Sequence, residues 1–384
     1  MPAASPDELR PRNRPPSPAT GLSAPAAPSA PTGIPSDSSR PPRTWAICLF
    51  LLTALSTFYV QFRSQRDPRR GQPDVAEVIW GLTDWELSNS IRHGLTYAGC
   101  LMAILGAHEF GHYLQARRHG IPAGLPIFIP LPMNQLGTMG ALVQQKSGHA
   151  SRRILFDIAI SGPLAGLAFA IPICCLGMIF AERGSTESLP AGAELMVYHG
   201  PPLLKALKQV VHGDLPKGTD ILMNPALLAG WFGILITAVN LIPIGQLDGG
   251  HILYCLIGRR ANTLARLLFL SAAVAVGILV IQGERSYLIW WLMLILLWLM
   301  GIEHAPTADD RAPLGWGRTV LGWLTLLFML AGMTLHPFEL IPGVAPGPGP
   351  SGQEATEGRA STSGGAQGVP IGDPNARQHR PDDA

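Results

Sequence analysis

The sequence predicts an all-α polytopic membrane protein of about seven transmembrane helices, with one loop or hairpin dipping into the bilayer. Three observations predict it. Of 384 residues, 47% are hydrophobic and only 14% charged, against about 25% charged in an ordinary soluble domain. The prolines crowd the ends, with 12 of the 36 before Arg43 and 7 from Pro342 onward. The middle is therefore far more apolar than the average, and it divides into apolar runs of about membrane-spanning length. A net charge of +2 leaves no basic field that would point to nucleic acid.

Residues 1–44, with PPSPAT and SAPAAPSAPTG, cannot bury enough apolar surface to fold alone and form a disordered tail by expectation. The stretch 341–384, with GPGPSG and STSGGAQG, is a second such tail. The membrane-embedded domain fills 45–340. Its expected spans are 45–62, 94–116, 154–180, 224–245, 267–282, 287–302 and 319–335. Between the third and fourth, about 40 residues leave no room for an inserted globular domain of usual size. Arg117–Arg153 carries five basic residues and no acidic one, and Arg259–Arg266 three and none. Both loops belong on the cytoplasmic side by the positive-inside rule. Arg63, Arg66, Arg69 and Arg70 follow the first span and leave its direction open. Cys48, Cys100, Cys174, Cys175 and Cys255 all sit in apolar runs without CxxC spacing, as small packing residues. No secretory leader is expected, because the first apolar run begins only at Trp45.

Two segments carry candidate chemistry. The second span ends GAHEFGHYLQARRHG. His108 and His112, four apart on a helix, project from one face and can share a metal ion. Glu109 beside them can take the proton of an attacking water. Three ionisable groups within five residues of a membrane helix are costly and call for a reason; the competing explanation is a polar helix end reaching water beside Arg117 and Arg118. The other segment is NLIPIGQLDGGH, Asn240 to His251. Pro243, Gly245, Gly249 and Gly250 should break the helix inside the membrane, which irregular backbone tolerates only against protein or a water-filled cavity. Asp248 in that break would complete a two-histidine, one-carboxylate site of the kind zinc takes. It could instead cap the short helix HILYCLIG. His251 is the rival third ligand. Asn240 could donate to a substrate carbonyl or a developing oxyanion, or simply bond a neighbouring helix.

HEFGH in one span with NLIPIGQLDGG two spans later resembles the site-2 protease family of intramembrane zinc metalloproteases, whose pattern is HExxH with a distal N-x-x-P-x-x-x-L-D-G. The similarity is nearest to the bacterial and plastid branch that carries neither PDZ nor CBS domains. It extends to QLGTMGALVQQKS, FDIAISGPLAGL and, more loosely, HAPTADDRAPLGWGRTVLGW, covering roughly residues 90–335. The resemblance implies a three-helix zinc metalloprotease core over about 91–258 and one zinc ion per chain, held by His108, His112 and Asp248. It implies Glu109 as general base and acid, and Asn240 as a further member of the catalytic site. Single-span membrane proteins would be the substrates, cut within or near the membrane in regulated intramembrane proteolysis. A multi-pass protein of a bacterial inner membrane, with its active site toward the cytoplasm, is the expected setting. Nothing follows about oligomeric state. A non-catalytic metal-binding scaffold and, more remotely, a metal transporter are the other classes; intact HEFGH speaks against the first, and the lack of inverted repeats against the second.

The remaining features read more blandly. In IPAGLPIFIPLPMNQLGTMGALVQQ the prolines forbid a continuous helix, so a hairpin or loop beside the second span is expected, with Ala141–Gln145 offering a strand edge to an unwound substrate. Small residues in GPLAG, Gly162 to Gly166, are expected to let the third span pack closely. Asp157 should pair with Arg152 or Arg153, and Trp290, Trp291 and Trp298 should meet lipid or the interface.

Overall fold

The computed structural model describes residues 43–64, 84–142, 150–185, 195–216, 219–284, 287–336 and 338–341. Both expected tails lie outside the described residues, as do Val143, Gln144 and Gln145 of the expected strand edge. The described residues form nine helices: α1 (Arg43–Ser64), α2 (Asp84–Arg118), α3 (Arg152–Ile179), α4 (Pro202–His212), α5 (Pro225–Asn240), α6 (Asp248–Ile257), α7 (Arg260–Ile281), α8 (Leu288–Met300) and α9 (Trp316–Gly332). A helix lies on each of the seven expected spans. By length and composition three of them, α1, α3 and α7, can cross a membrane, while α5, α9 and the Trp290–Met300 part of α8 are shorter apolar helices. The chain is thus a mostly helical membrane protein.

The centre is the trio α2, α3 and α5, and the sequence says why. Helix α5, PALLAGWFGILITAVN, is apolar on every side and is buried along most of its length, as a helix without a polar face must be. Its start is fixed by Asn224, whose side chain accepts from Leu227 N–H, with Pro225 at the first helical position. Trp231, Phe232, Tyr97, Leu101, Ile104, Cys174 and Met178 form one apolar core where the three helices meet. A second core, with Ala116, Phe156, Leu253, Tyr254 and Cys255, packs α6 against α2 and α3. Helices α2 and α3 approach so closely that a Cβ on Gly111 would lie 2.6 Å from Ser161 O. Helix α7 is the opposite case, with only Ala261 and Ala265 buried.

The proline-rich stretch after α2 forms a hairpin, β1 (Ile127–Leu131) against β2 (Gly137–Leu142), antiparallel with an irregular register between Phe128 and Pro130. It docks on α1 as well as beside α2. Ser56 Oγ donates to Gly137 O at 2.6 Å, the Phe50 and Phe128 rings meet edge to face, and Tyr97 Oη donates to Leu136 O. Four further short strands accompany α4. Strand β3 (Arg183–Ser185) pairs with β5 (Thr219–Ile221), and β4 (Leu195–Tyr198) with β6 (Phe338–Ile341). These pairings were not anticipated, because strands of three or four residues carry too few positions for an alternating pattern.

One expectation is corrected. Asp157 does not pair with Arg152 or Arg153. The Arg318 guanidinium of α9 donates to both Asp157 oxygens at 2.7 and 2.9 Å, and His119 Nε2 lies 3.4 Å away. Arg152 instead donates to Cys255 O and Leu256 O at the end of α6, and Arg153 to Pro313 O. The misassignment follows from helix geometry, since residues four or five positions back on the same helix lose Asp157 to a partner from another element with a planar fork.

Candidate metal centre

His108, Glu109 and His112 lie in the last third of α2 and are buried, with both histidines facing α3. Helix α3 makes room for the imidazoles with glycine. A Cβ on Gly162 would lie 2.0 Å from His112 Nε2, and one on Gly166 would lie 3.1 Å from His108 Nδ1. The two glycines are four apart on α3 as the two histidines are on α2, so one periodicity seats the other. The close packing expected of GPLAG is therefore packing against the candidate ligands.

The opposite wall is the broken segment. Helix α5 stops at Asn240, and Pro243 and Gly245 turn the chain through a non-helical loop before α6 starts at Asp248. Gly245 adopts φ +56°, a left-handed conformation that side chains resist. A Cβ on Gly249 would lie 2.0 Å from Leu241 O, and one on Gly250 2.4 Å from Gly245 O. Only glycine lets the first turn of α6 fold back this tightly onto the loop. Asp248 then sits in the first turn of α6, where the amide dipoles favour a carboxylate.

These two walls bring three of the predicted residues together. His108 Nε2 and Asp248 Oδ2 are 3.2 Å apart, His112 Nε2 and Asp248 Oδ1 3.3 Å, and the two Nε2 atoms 3.3 Å. Among the described residues this is the one group of His, Cys, Asp or Glu able to hold a metal ion. The three residues form a triangle in which each imidazole meets a different oxygen of the Asp248 carboxylate. Two imidazoles and a carboxylate are a donor set that zinc takes, and one ligand atom from each lies within 4.8 Å of the others, near enough to close on one ion. His112 Nδ1 donates to Ile158 O at 2.9 Å. A carbonyl only accepts, so that bond fixes the proton on Nδ1 and leaves the Nε2 lone pair facing the triangle.

The other candidates fall at different distances. Asn240 Nδ2 lies 3.4 Å from His108 Nε2, so its amide borders the site. Glu109 is buried and within electrostatic reach of His108, His112 and Asp248. His251, the rival third ligand, stands outside the triangle; its Nδ1 lies 2.7 Å from Nε2 of His304, in the connection between α8 and α9. His304 was not singled out from the sequence. It lies 53 residues beyond His251 in a loop, and no local pattern signals such a contact.

Residues 96–282 match peptidase family M50. A relative from Arabidopsis thaliana, "probable zinc metalloprotease EGY2, chloroplastic", is 29% identical over 304 residues, which is 79% of this chain and 50% of that protein. "Probable zinc metalloprotease EGY1, chloroplastic" of Oryza sativa subsp. japonica is 31% identical over 64% of this chain and 41% of its own. The EGY3 protein of the same rice, also named a probable zinc metalloprotease, is 30% identical over 63% and 41%. The chain spans about half the length of the relatives it matches or less. No solved structure matches it. All three relatives are named as chloroplastic, so the comparisons lend no support to the bacterial inner membrane expected from the sequence. The region similar to peptidase family M50 encloses both walls of the triangle, so the likeness covers the whole candidate metal centre.

Proposed function

We propose that the chain is an intramembrane zinc metalloprotease that hydrolyses a peptide bond within or near a transmembrane segment of a membrane protein. One observation carries the reading: two imidazoles and a carboxylate, near enough to close on one ion, are enclosed by apolar helices with a buried glutamate beside them. Zinc in such a site supplies a Lewis acid that polarises a carbonyl and brings the pKa of a water near 7.

The protein's own groups do the rest. His108, His112 and Asp248 hold the ion, and the Ile158 carbonyl keeps His112 in the tautomer that binds. Glu109 accepts the proton of the attacking water and returns it to the leaving amine. Asn240, at the rim, offers an N–H to the oxygen on which charge develops. Apolar walls from α2, α3 and α5 keep bulk water away from these charges, which strengthens every interaction among them. The whole fits a bundle of seven spans, with the core over about 91–258, the membrane domain over 45–340, and the active site opening toward the face of the basic loops.

Substrates of this reading are single-span membrane proteins. A helix must lose its internal hydrogen bonds before a scissile carbonyl can reach the ion, and lipid offers no replacement for them. Strand β2 has a partner on one edge only among the described residues. Its other edge can take up the unwound backbone.

Zinc content tests the proposal directly. Detergent-purified protein should hold about one zinc per chain, as a three-ligand site with one open position requires. His108→Ala and Asp248→Ala should each lose it. No zinc in the folded, unaltered chain would overturn the proposal and leave a scaffold without metal chemistry.

A further inference from the structure

Resting on that zinc-protease reading, we infer that His304 is a positioning residue for the third metal ligand, acting through His251. Asp248 has no hydrogen-bond partner besides His108 and His112 among the described residues. Its direction is therefore set by where α6 sits. Helix α6 begins without a side-chain cap, at Leu247, and follows a loop that breaks the preceding helix. The backbone of Gly249 and Gly250 packs its first turn on the loop, and side-chain contacts hold the rest of the helix.

The connection between α8 and α9 supplies them. His251, one turn after Asp248, meets His304 at 2.7 Å between ring nitrogens, and both rings are buried. Tyr254, another three residues along α6, stacks on the face of the His304 ring with centroids 4.3 Å apart. The His304 backbone is clasped on both sides by one residue of α7. Asn262 Nδ2 donates to His304 O at 3.1 Å, and His304 N–H donates to Asn262 Oδ1 at 3.0 Å. His304 Nδ1 points at Ala305 O. Because that carbonyl only accepts, Nδ1 carries the proton, and in the neutral ring Nε2 accepts from His251 Nδ1–H.

The clasp extends along the segment. A Cβ on Gly245 would lie 2.1 Å from Gly301 O, so the ligand loop rests directly on the start of this connection. Gln246 donates to Glu303 O, and Tyr254 Oη donates to Asp310 Oδ2 at 3.0 Å. A segment serving only to join two helices needs neither a buried histidine pair nor two bonds to one asparagine. Holding the one ligand that stands on broken backbone does need them. Outer partners of metal ligands typically account for 10–100-fold in metal affinity.

The test uses the full chain in detergent, stripped of metal and titrated with Co2+, whose visible spectrum reports coordination geometry. The unaltered chain should give the absorption of a four-coordinate ion. His304→Ala should bind Co2+ about 10–100-fold more weakly with an altered spectrum. His304→Gln, whose carbonyl can still accept from His251, should recover most of both. The double change of His251→Ala with His304→Ala should be no worse than the more damaging single one, because the two share one contact. Unaltered affinity and spectrum in His304→Ala would overturn the inference while leaving the protease reading standing. The same follows if His304→Ala and His304→Gln are equally impaired, since loss of the ring rather than of the hydrogen bond would then be responsible. No Co2+ signal in the unaltered chain would overturn the protease reading itself, and the inference with it.

Discussion

The two walls of the metal centre solve one problem in different ways. On the α2 wall, His108 and His112 need only a continuous helix, because a spacing of four already points both rings the same way. Helix α3 then has only to stand clear, which Gly162 and Gly166 accomplish. On the α6 wall the helix is broken, and no regular helical spacing aims Asp248. Backbone against backbone at Gly245, Gly249 and Gly250, and the clasp from residues 301–310, do the aiming instead. A regular helix thus carries its geometry with it, whereas an interrupted one borrows geometry from elsewhere.

Substitutions can break this contrast in order of size. Glu109→Gln touches neither wall's support, so zinc should stay while peptide hydrolysis falls by about 10²–10⁴-fold; zinc analysis and cleavage of a membrane-inserted substrate measure the two separately, and retained cleavage would refute the assignment. Gly162→Ala attacks the α2 wall by pushing a methyl group onto the His112 ring, and zinc affinity should drop about 10–100-fold. Gly166→Ala, whose Cβ has 3.1 Å to His108 Nδ1, should cost clearly less. The same titration with equal losses would show that α3 does not seat the rings individually. Gly245→Ala attacks the α6 wall, combining a left-handed φ with a clash against Gly301 O. It should destabilise the protein by about 1–3 kcal/mol, read as a lower thermal midpoint in detergent.

The smallest effect concerns pH. Hydrogen bonds from Thr307, assisted by Tyr254 and Arg259, hold the Asp310 carboxyl below the usual carboxylate range. Its folded-state pKa is depressed, so its stabilising contribution is present above the unfolded value of about 3.9 and is lost as pH falls through the folded one. Acid titration of the thermal midpoint should therefore show a slightly shallower decline in Asp310→Asn than in the unaltered chain.

How much of this was legible in the sequence tracks the same contrast. The helices stood out because long apolar runs need no partner to be recognised. His108, Glu109 and His112 stood out because their spacing is itself the geometry. Asp248 could be picked from the helix-breaking residues around it, yet His251 remained a rival, since three residues separate them and only the surrounding structure decides which faces the imidazoles. His304 was invisible, as were Arg318 as the partner of Asp157 and the pairing of β4 with β6. Each depends on segments far apart in the chain meeting in space. The burial of α5 and the exposure of α7 were also unreadable, because both are apolar throughout and composition does not say which one lipid will touch.

The placement of His304 has a consequence for the time course of synthesis. It lies 56 residues after Asp248, which at a ribosome speed of about 5–20 residues per second is roughly 3–11 s. During that interval α7 and α8 must emerge before the clasp exists. The nascent chain therefore carries HEFGH and LDG well before it can hold them in register. Until α8 is in place and the segment behind it has folded back, the newborn protein carries its candidate metal ligands without the contacts that set them.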